Sequence, residues 1–451
     1  MLPTPEHSTL TAQNQIIEVP TPTPVSTLPA AGALLPAGAL PLGFQFAAVR
    51  AGIKPSGKPD LACVLAAPAT RGAALFTSNR VVAAPVLVGR AHLVATQGAV
   101  RAVVVNSGNA NCATGDHGMQ AAQTTCAAAA EAFGCDAQQV IPSSTGIIGV
   151  PLPVEKLVAA LPAVRDAFAA TPEAFSQFAH AILTTDTRPK VACRSVTIGD
   201  QMVRIAGACK GAGMIHPKLT DEPFGPSTRE AAPKHATMLA YLFTDAAIDA
   251  ALLQTLLRVG AEPTFNRISI DGDTSTNDTV LLLASGASGT SVTADDTNTV
   301  THFQAALDAV CRELALAIVE DGEGVTHVVT LEISGAPDDA QALQVARAIA
   351  HSPLVKTAWA GGDPNWGRLA SSIGASGVAI KPERLHITLD GLPVCEQGGR
   401  ALAFDAAAVH AAMANRRFTI AVSLGLGEGF CRFWTTDLTT EYVHINADYS
   451  S

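Results

Sequence analysis

From Phe44 to its end the chain alternates short β-branched runs with alanine-rich stretches, and the β-branched runs often come in closely spaced pairs. That patterning restricts the fold more than any other feature. Val196 to Ile198 and Val203 to Ile205 flank a Gly199-Asp200 turn, the spacing of an antiparallel hairpin. Ala102 to Val105 reads as a strand, and Gln120 to Phe133 as a helix stopped by Gly134. Ile248, Leu252 and Leu256 recur at four-residue spacing on one helical face, and Asn298 to Val319 reads as a long helix of Ala and Leu. Further strands are expected at Arg417 to Val422, Cys431 to Thr435 and Tyr442 to Ile445. Consecutive hairpins favour antiparallel sheets with helices outside them over a doubly wound parallel sheet. No fixed-period repeat is present, which removes solenoids and propellers. The class is α/β or α+β.

Length and charge narrow the function. A chain of 451 residues suits two or three folding units with a core that needs no staples. The net charge of −10 comes without any Lys/Arg cluster, which argues against nucleic acid and against a polybasic membrane patch. Nine cysteines stand singly with no Cys-x-x-Cys pair, the usage of a reduced, intracellular, non-metal protein, and the location expected is cytoplasmic. Residues 1–42, with a Pro-Thr-Pro-Thr-Pro stretch from Pro20, read as an extended, weakly ordered leader. No Lys or Arg precedes Arg50, so this segment lacks the basic region of a signal or transit peptide. Pro29, Pro36 and Pro41 interrupt the apolar run around them, so no membrane span is expected.

The common cofactor signatures are missing: no P-loop, dinucleotide fingerprint, His-Glu-x-x-His helix, EF-hand loop or Gly-x-Ser-x-Gly elbow occurs. The glycine strings Gly425-Leu426-Gly427-Glu428-Gly429 and Lys210-Gly211-Ala212-Gly213 have the wrong spacing to cradle a pyrophosphate. Twelve histidines are dispersed without metal-ligand spacing. The expectation is an enzyme with no metal and no cofactor.

A different set of motifs is present, in a fixed order. Asn106-Ser107-Gly108-Asn109-Ala110-Asn111-Cys112 is followed by Ser144-Thr145-Gly146-Ile147-Ile148-Gly149, by Thr184-Thr185-Asp186-Thr187-Arg188-Pro189-Lys190 and by Cys209-Lys210-Gly211-Ala212-Gly213-Met214-Ile215. Then come His235-Ala236-Thr237-Met238-Leu239-Ala240, Ser269-Ile270-Asp271-Gly272-Asp273-Thr274-Ser275-Thr276-Asn277-Asp278, Asp321-Gly322-Glu323-Gly324, Gly362-Asp363-Pro364-Asn365-Trp366-Gly367-Arg368 and Ile445-Asn446-Ala447-Asp448-Tyr449. Together they resemble the ornithine acetyltransferase family, also called the glutamate N-acetyltransferase family, from about residue 44 to the end. One departure is a polar, turn-rich insertion at 218–234, of a kind that a surface loop tolerates because closure entropy grows slowly with length.

The resemblance implies an αββα sandwich of two stacked sheets flanked by helices, similar to the N-terminal nucleophile hydrolases but differently connected, with a smaller C-terminal α/β region. It implies self-cleavage between Ala236 and Thr237 into an α chain, residues 43–236, and a β chain, residues 237–451, commonly assembled as two of each. The activity implied is transfer of acetyl from N-acetylornithine to glutamate through an acetyl ester on Thr237, with acetyl-CoA left open as a second donor. Thr145 and Gly146 match the family's oxyanion hole. Lys210 matches its cation for the substrate carboxylate and Glu323 its anion for the ammonium or incoming amine. Thr184, Asn446 and Ser451 match the remaining substrate contacts.

The chemistry is consistent with those residue types. Exchanging one amide for another is close to thermoneutral and needs no nucleotide. It does need a nucleophile that can hold the acetyl group, a base, and donors for a tetrahedral oxyanion. A free α-amine, with an ordinary pKa of about 8, can deprotonate the hydroxyl of the same residue. Taken alone, Thr237 would be a strand opener or a helix cap, Thr145-Gly146 a turn, Lys210 a solvated hairpin charge and Glu323 a polar helix end. Asp271-Gly272-Asp273 and Asn365 to Arg368 read as turns that support the pocket.

Overall fold

The computed structural model describes residues 34–36, 38–222, 235–236 and 238–448, with only the backbone of His235 and Ala236. Thr237, Ser451, most of the 218–234 insertion and residues 1–33 of the expected leader lie outside the described residues.

Alternation of side chains builds two sheets that share one core. The first has the order Phe44–Val49, Leu61–Ala66, Ala102–Asn109, Val140–Ile147, His235–Ala236. The second runs Lys190–Ile198, Gln201–Lys210, Leu239–Thr244, Thr279–Ala284, Arg71–Thr77, Leu219–Thr220. Successive strand residues face opposite ways, so each strand is split between two cores. Val103 and Val105 join Leu239, Tyr241, Phe243, Leu281 and Leu283 in the core between the sheets. Their neighbours point outward. Ala102 and Val104 pack under the helices Gly115–Phe133 and Val154–Ala167. Ala240, Leu242, Val280 and Leu282 pack under Ala250–Ala261 and Thr297–Glu320. The layers are therefore helix, sheet, sheet, helix, as the family resemblance implied.

A third, seven-stranded sheet, centred on Val328–Ala336 between Gly429–Thr436 and Arg417–Ser423, forms the C-terminal α/β region around its own core. Where the first two sheets meet, Phe46 stands edge-on to Phe175, Phe178 and Phe243 at 5.0 to 5.7 Å between ring centroids. Each such pair contributes about 0.5–1.5 kcal/mol beyond its buried area.

Several expectations are corrected. The sheets are mixed, with parallel pairs Ala102–Asn109 to Val140–Ile147, Leu239–Thr244 to Thr279–Ala284 and Val328–Ala336 to Arg417–Ser423. A helix bridges each of the first two pairs, Gly115–Phe133 and Ala250–Ala261, which is the connection a parallel pair requires. Tyr442 to Ile445 is helical, inside Thr440–Asp448. The hydroxyl of Thr439 accepts from the Tyr442 N–H at 3.3 Å and starts that helix. Ile248 precedes the helix it was assigned to, whose buried face is Leu253, Leu256, Leu257 and Gly260. The last part of the expected leader is not loose, because Leu35 and Leu40 are buried in the core between the sheets. There Ser285 Oγ donates to the Leu42 carbonyl at 2.6 Å.

Asp60 fastens one end of the sandwich. Its buried carboxylate accepts from the backbone N–H groups of Ala51, Gly52, Ile53 and Lys54 at 2.6 to 3.1 Å. The Asp60 carbonyl accepts from Ser107 N–H at 2.9 Å, and Ser107 Oγ and Lys54 Nζ both donate to the Ala181 carbonyl. We expect Asp60→Ala, which strands four amides, to lower the free energy of unfolding by at least about 2 kcal/mol in urea titrations. An unchanged midpoint would show that the loop is fastened elsewhere.

Candidate active site

Backbone pairing sets the site. Ala236 is the partner of Gly146 at the edge of the first sheet, and His235 that of Ile147. Leu239 sits within the second sheet, between Lys210 on one side and Thr279 on the other. Only residues 237 and 238 separate these anchors, so the chain passes from one sheet to the other there. Met238 is held on both sides: its N–H donates to Asp278 Oδ1 at 3.2 Å, and its carbonyl accepts from Thr279 N–H at 3.1 Å.

The strand end opposite that passage carries Thr145 and Gly146. Both are buried, and Thr145 is fully inaccessible. Gly146 has φ +133°, and a Cβ there would run into the backbone of Gly108 and Asn109. Only glycine allows the two strands to approach this closely.

Lys210 ends its strand beneath them with no exposure at all. Its Nζ donates to Thr145 Oγ1 at 3.2 Å and lies 3.8 Å from Asp186 Oδ2. Burial pushes the ammonium below its ordinary pKa, and the Asp186 carboxylate opposes the shift without cancelling it. A hydroxyl that accepts from an ammonium is polarised into a stronger donor through its own hydrogen.

Asp186 organises the floor. Besides Lys210, it accepts from Gly211 N–H at 2.6 Å and Thr184 N–H at 3.0 Å. Lys190 Nζ lies 2.6 Å from Asp186 and 2.6 Å from Asp321, with its side chain entirely buried. Burial alone would raise the Asp186 carboxyl, but Lys190 and Lys210 outweigh it and hold it well below the usual carboxylate range.

The rim has the opposite sign. Glu323 follows the helix Thr297–Glu320, and its carboxylate lies against Gly213, where any side chain would displace it. Exposed Asn446, on the C-terminal helix, donates through Nδ2 to Glu323 Oε2 at 2.9 Å. Tyr442 on the same helix donates to Asp271, which in turn accepts from Met214 and Ile215 N–H at 2.6 and 2.9 Å. Asp271 is thus the turn support expected of it.

Thr145, Gly146, Thr184, Lys210, Glu323, Asn446 and the backbone of Ala236 therefore frame one region, with a buried cation at its base and an anion at its mouth. Sequence reasoning missed Asp186, Lys190, Asp321 and Asp278. All four stand inside the motifs quoted above, each a charge among small and polar residues. Among the described residues no group of acidic, His and Cys side chains could hold a metal, and no helix is long and apolar enough to cross a membrane.

A family model described as the ArgJ family matches residues 45–451. The arginine biosynthesis bifunctional protein ArgJ of Rhodopirellula baltica is 43% identical over 91% of this chain and 96% of its own length. The Geobacter sulfurreducens protein of the same name is 42% identical over 90% of this chain and 98% of its own. A solved structure of the Bacillus halodurans ArgJ protein is 39% identical, covers 46% of this chain and 96% of that one, and has a TM-score of 0.44.

Lys190→Met would leave two buried carboxylates without their shared cation and destabilise the fold by about 3–5 kcal/mol. Asp186 is depressed in the folded state, so its contribution is complete above the unfolded value of about 4 and is lost as pH falls through the folded one. Denaturant titrations should therefore show the widest gap between wild type and variant near neutrality, narrowing in acid. Equal stability at neutral pH would contradict this.

Proposed function

The chain belongs to the ArgJ family, and we propose that its acetyltransferase chemistry in arginine biosynthesis runs through the hydroxyl of Thr237, freed when the chain cuts itself after Ala236. The observation that carries this reading is the passage between sheets at residues 236–239, flanked by Thr145, Gly146 and Lys210.

After scission the α-amine of Thr237 accepts the proton of its own hydroxyl, and the oxygen attacks the acetyl carbonyl of N-acetylornithine. The Thr145 hydroxyl and Gly146 N–H receive the oxyanion, each such donor being worth about 3–4 kcal/mol of barrier. The α-ammonium returns that proton to the leaving nitrogen as the C–N bond breaks, so collapse expels ornithine as an amine and leaves the acetyl ester on Thr237. Glutamate then attacks the ester through its amine and departs as N-acetylglutamate.

A substrate of this class carries a carboxylate and, for ornithine, a terminal ammonium. Lys210 at the base suits the first and Glu323 at the mouth the second. Thr184, Asn446 and Ser451 complete the contacts in this reading, although Ser451 lies outside the described residues. The carboxylate also brings charge to Lys210 that Asp186 only partly supplies at 3.8 Å.

The relatives are named bifunctional. Acetyl-CoA as a second donor for the same Thr237 ester accounts for that name with one nucleophile. The mature protein in this reading comprises residues 43–236 and 237–451, assembles as two α and two β chains, and works in the cytoplasm on small molecules without a cofactor.

Mass measurement under denaturing conditions tests the reading. Wild type should give two separate chains, divided between Ala236 and Thr237, and Thr237→Ala a single uncut chain without acetyl exchange. Two chains from the variant would place the scission elsewhere. Glutamate-dependent thiol release from acetyl-CoA checks the second donor, and release independent of glutamate would point to hydrolysis.

A further inference from the structure

Self-cleavage raises a problem that the mature enzyme does not have. Until the bond after Ala236 breaks, the nitrogen of Thr237 is an amide and cannot accept a proton. The base of the transfer reaction is absent from the step that creates it.

Among the described residues, Asp278 is suited to that step. Asp278 is fully buried and immediately precedes the strand that pairs in parallel with Leu239–Thr244. Its Oδ1 accepts from Met238 N–H at 3.2 Å, one residue from Thr237. Its Oδ2 is buried and meets no partner at full hydrogen-bond geometry among the described residues, although Ser275 lies close enough to pull on the carboxyl. A buried carboxylate oxygen without a full hydrogen bond is costly and calls for an explanation.

The backbone around Asp278 is fixed. Its carbonyl accepts from Thr77 N–H at 2.8 Å, and the neighbouring Asn277 donates through Nδ2 to the carbonyls of Ser144 and Ala110, both at 2.8 Å. Asn277 and Asp278 thus tie the strand bearing Thr145 to the segment after Thr237. Lys210 is the charged group facing Asp278, with Asp186, Lys190 and Glu323 arrayed around Lys210. Burial pushes the Asp278 carboxyl up to about 7, against the opposing pull of the Met238 amide, Ser275 and Lys210. Near neutral pH such a group can both take a proton and return it.

We propose that Asp278 is the proton acceptor of self-cleavage, taking the Thr237 hydroxyl proton on Oδ2 and returning it to the leaving nitrogen. The proposal rests on the reading of Thr237 as the nucleophile. Thr237 Oγ forms a bond to the Ala236 carbonyl carbon as its proton moves to Asp278. The tetrahedral intermediate then collapses, the C–N bond breaks, and the proton held by Asp278 passes to the Thr237 nitrogen. This leaves an ester between Ala236 and Thr237 and a free amine. Water hydrolyses the ester to the Ala236 carboxylate and the Thr237 hydroxyl, so that one water is consumed overall. From then on the amine serves as base.

Full-length chain made by pulsed cell-free synthesis tests this, with scission followed on denaturing gels across pH. Wild-type scission should accelerate with rising pH and level off above about 7. Asp278→Asn keeps an acceptor for Met238 N–H but cannot take the proton; it should slow scission by about 100-fold or more and abolish the midpoint. A cooperative thermal transition in that variant confirms that it has folded. Asp278→Ala should be slow and should recover scission in proportion to added formate, which a merely structural role would not permit. The proposal is overturned by an Asn variant that cuts within about threefold of wild type, or by an Ala variant indifferent to formate. A wild-type chain that never cuts overturns the reading of Thr237 along with it.

Discussion

The structure depends on the passage of one strand between two stacked sheets. Ala236 belongs to the first sheet and Leu239 to the second. Moving either anchor would require breaking pairs on Gly146, Lys210 or Thr279. The same anchors place the ends of four strands around a single peptide bond. The sandwich thus supplies both anchors of the passage between residues 236 and 239.

The electrostatic design follows from burial. Lys190 and Lys210 face Asp186 and Asp321 with almost no access to water. An isolated buried ion pair is weak evidence for stability. Here the backbone N–H groups of Thr184, Gly211 and Thr187 also donate to the two carboxylates, so the network is closely satisfied. The result is a buried cation that donates to the Thr145 hydroxyl. Glu323, at the rim, is held by Asn446 from a helix near the end of the chain. The C-terminal region thus supplies one side of the site, and the sandwich supplies the rest.

Much of the fold was legible because it is written at short range. The Gly199-Asp200 turn became the hairpin Lys190–Ile198 to Gln201–Lys210, and Gly134, at φ +70°, ends the helix that begins at Gly115. What short-range pattern cannot carry is which strands become neighbours. The parallel pairs join segments separated by whole helices. The run Tyr442 to Ile445 has β-branched character, but the Thr439 hydroxyl and docking near Glu323 make it helical. Thr145, Gly146, Lys210 and Glu323 were assigned by resemblance, and the structure brings them to one region. Asp186, Lys190 and Asp278 were passed over because a charge in a sequence looks solvated until the tertiary fold buries it.

The central claim is that residue 237 carries the acetyl group between donor and acceptor. Acid quenching of enzyme turning over N-acetylornithine without glutamate, followed by fragment mass spectrometry, tests it directly. The account predicts one acetyl on the peptide that begins with Thr237, removed when glutamate is added before the quench. An unmodified peptide under the same conditions, or an acetyl group on any other residue, would contradict it.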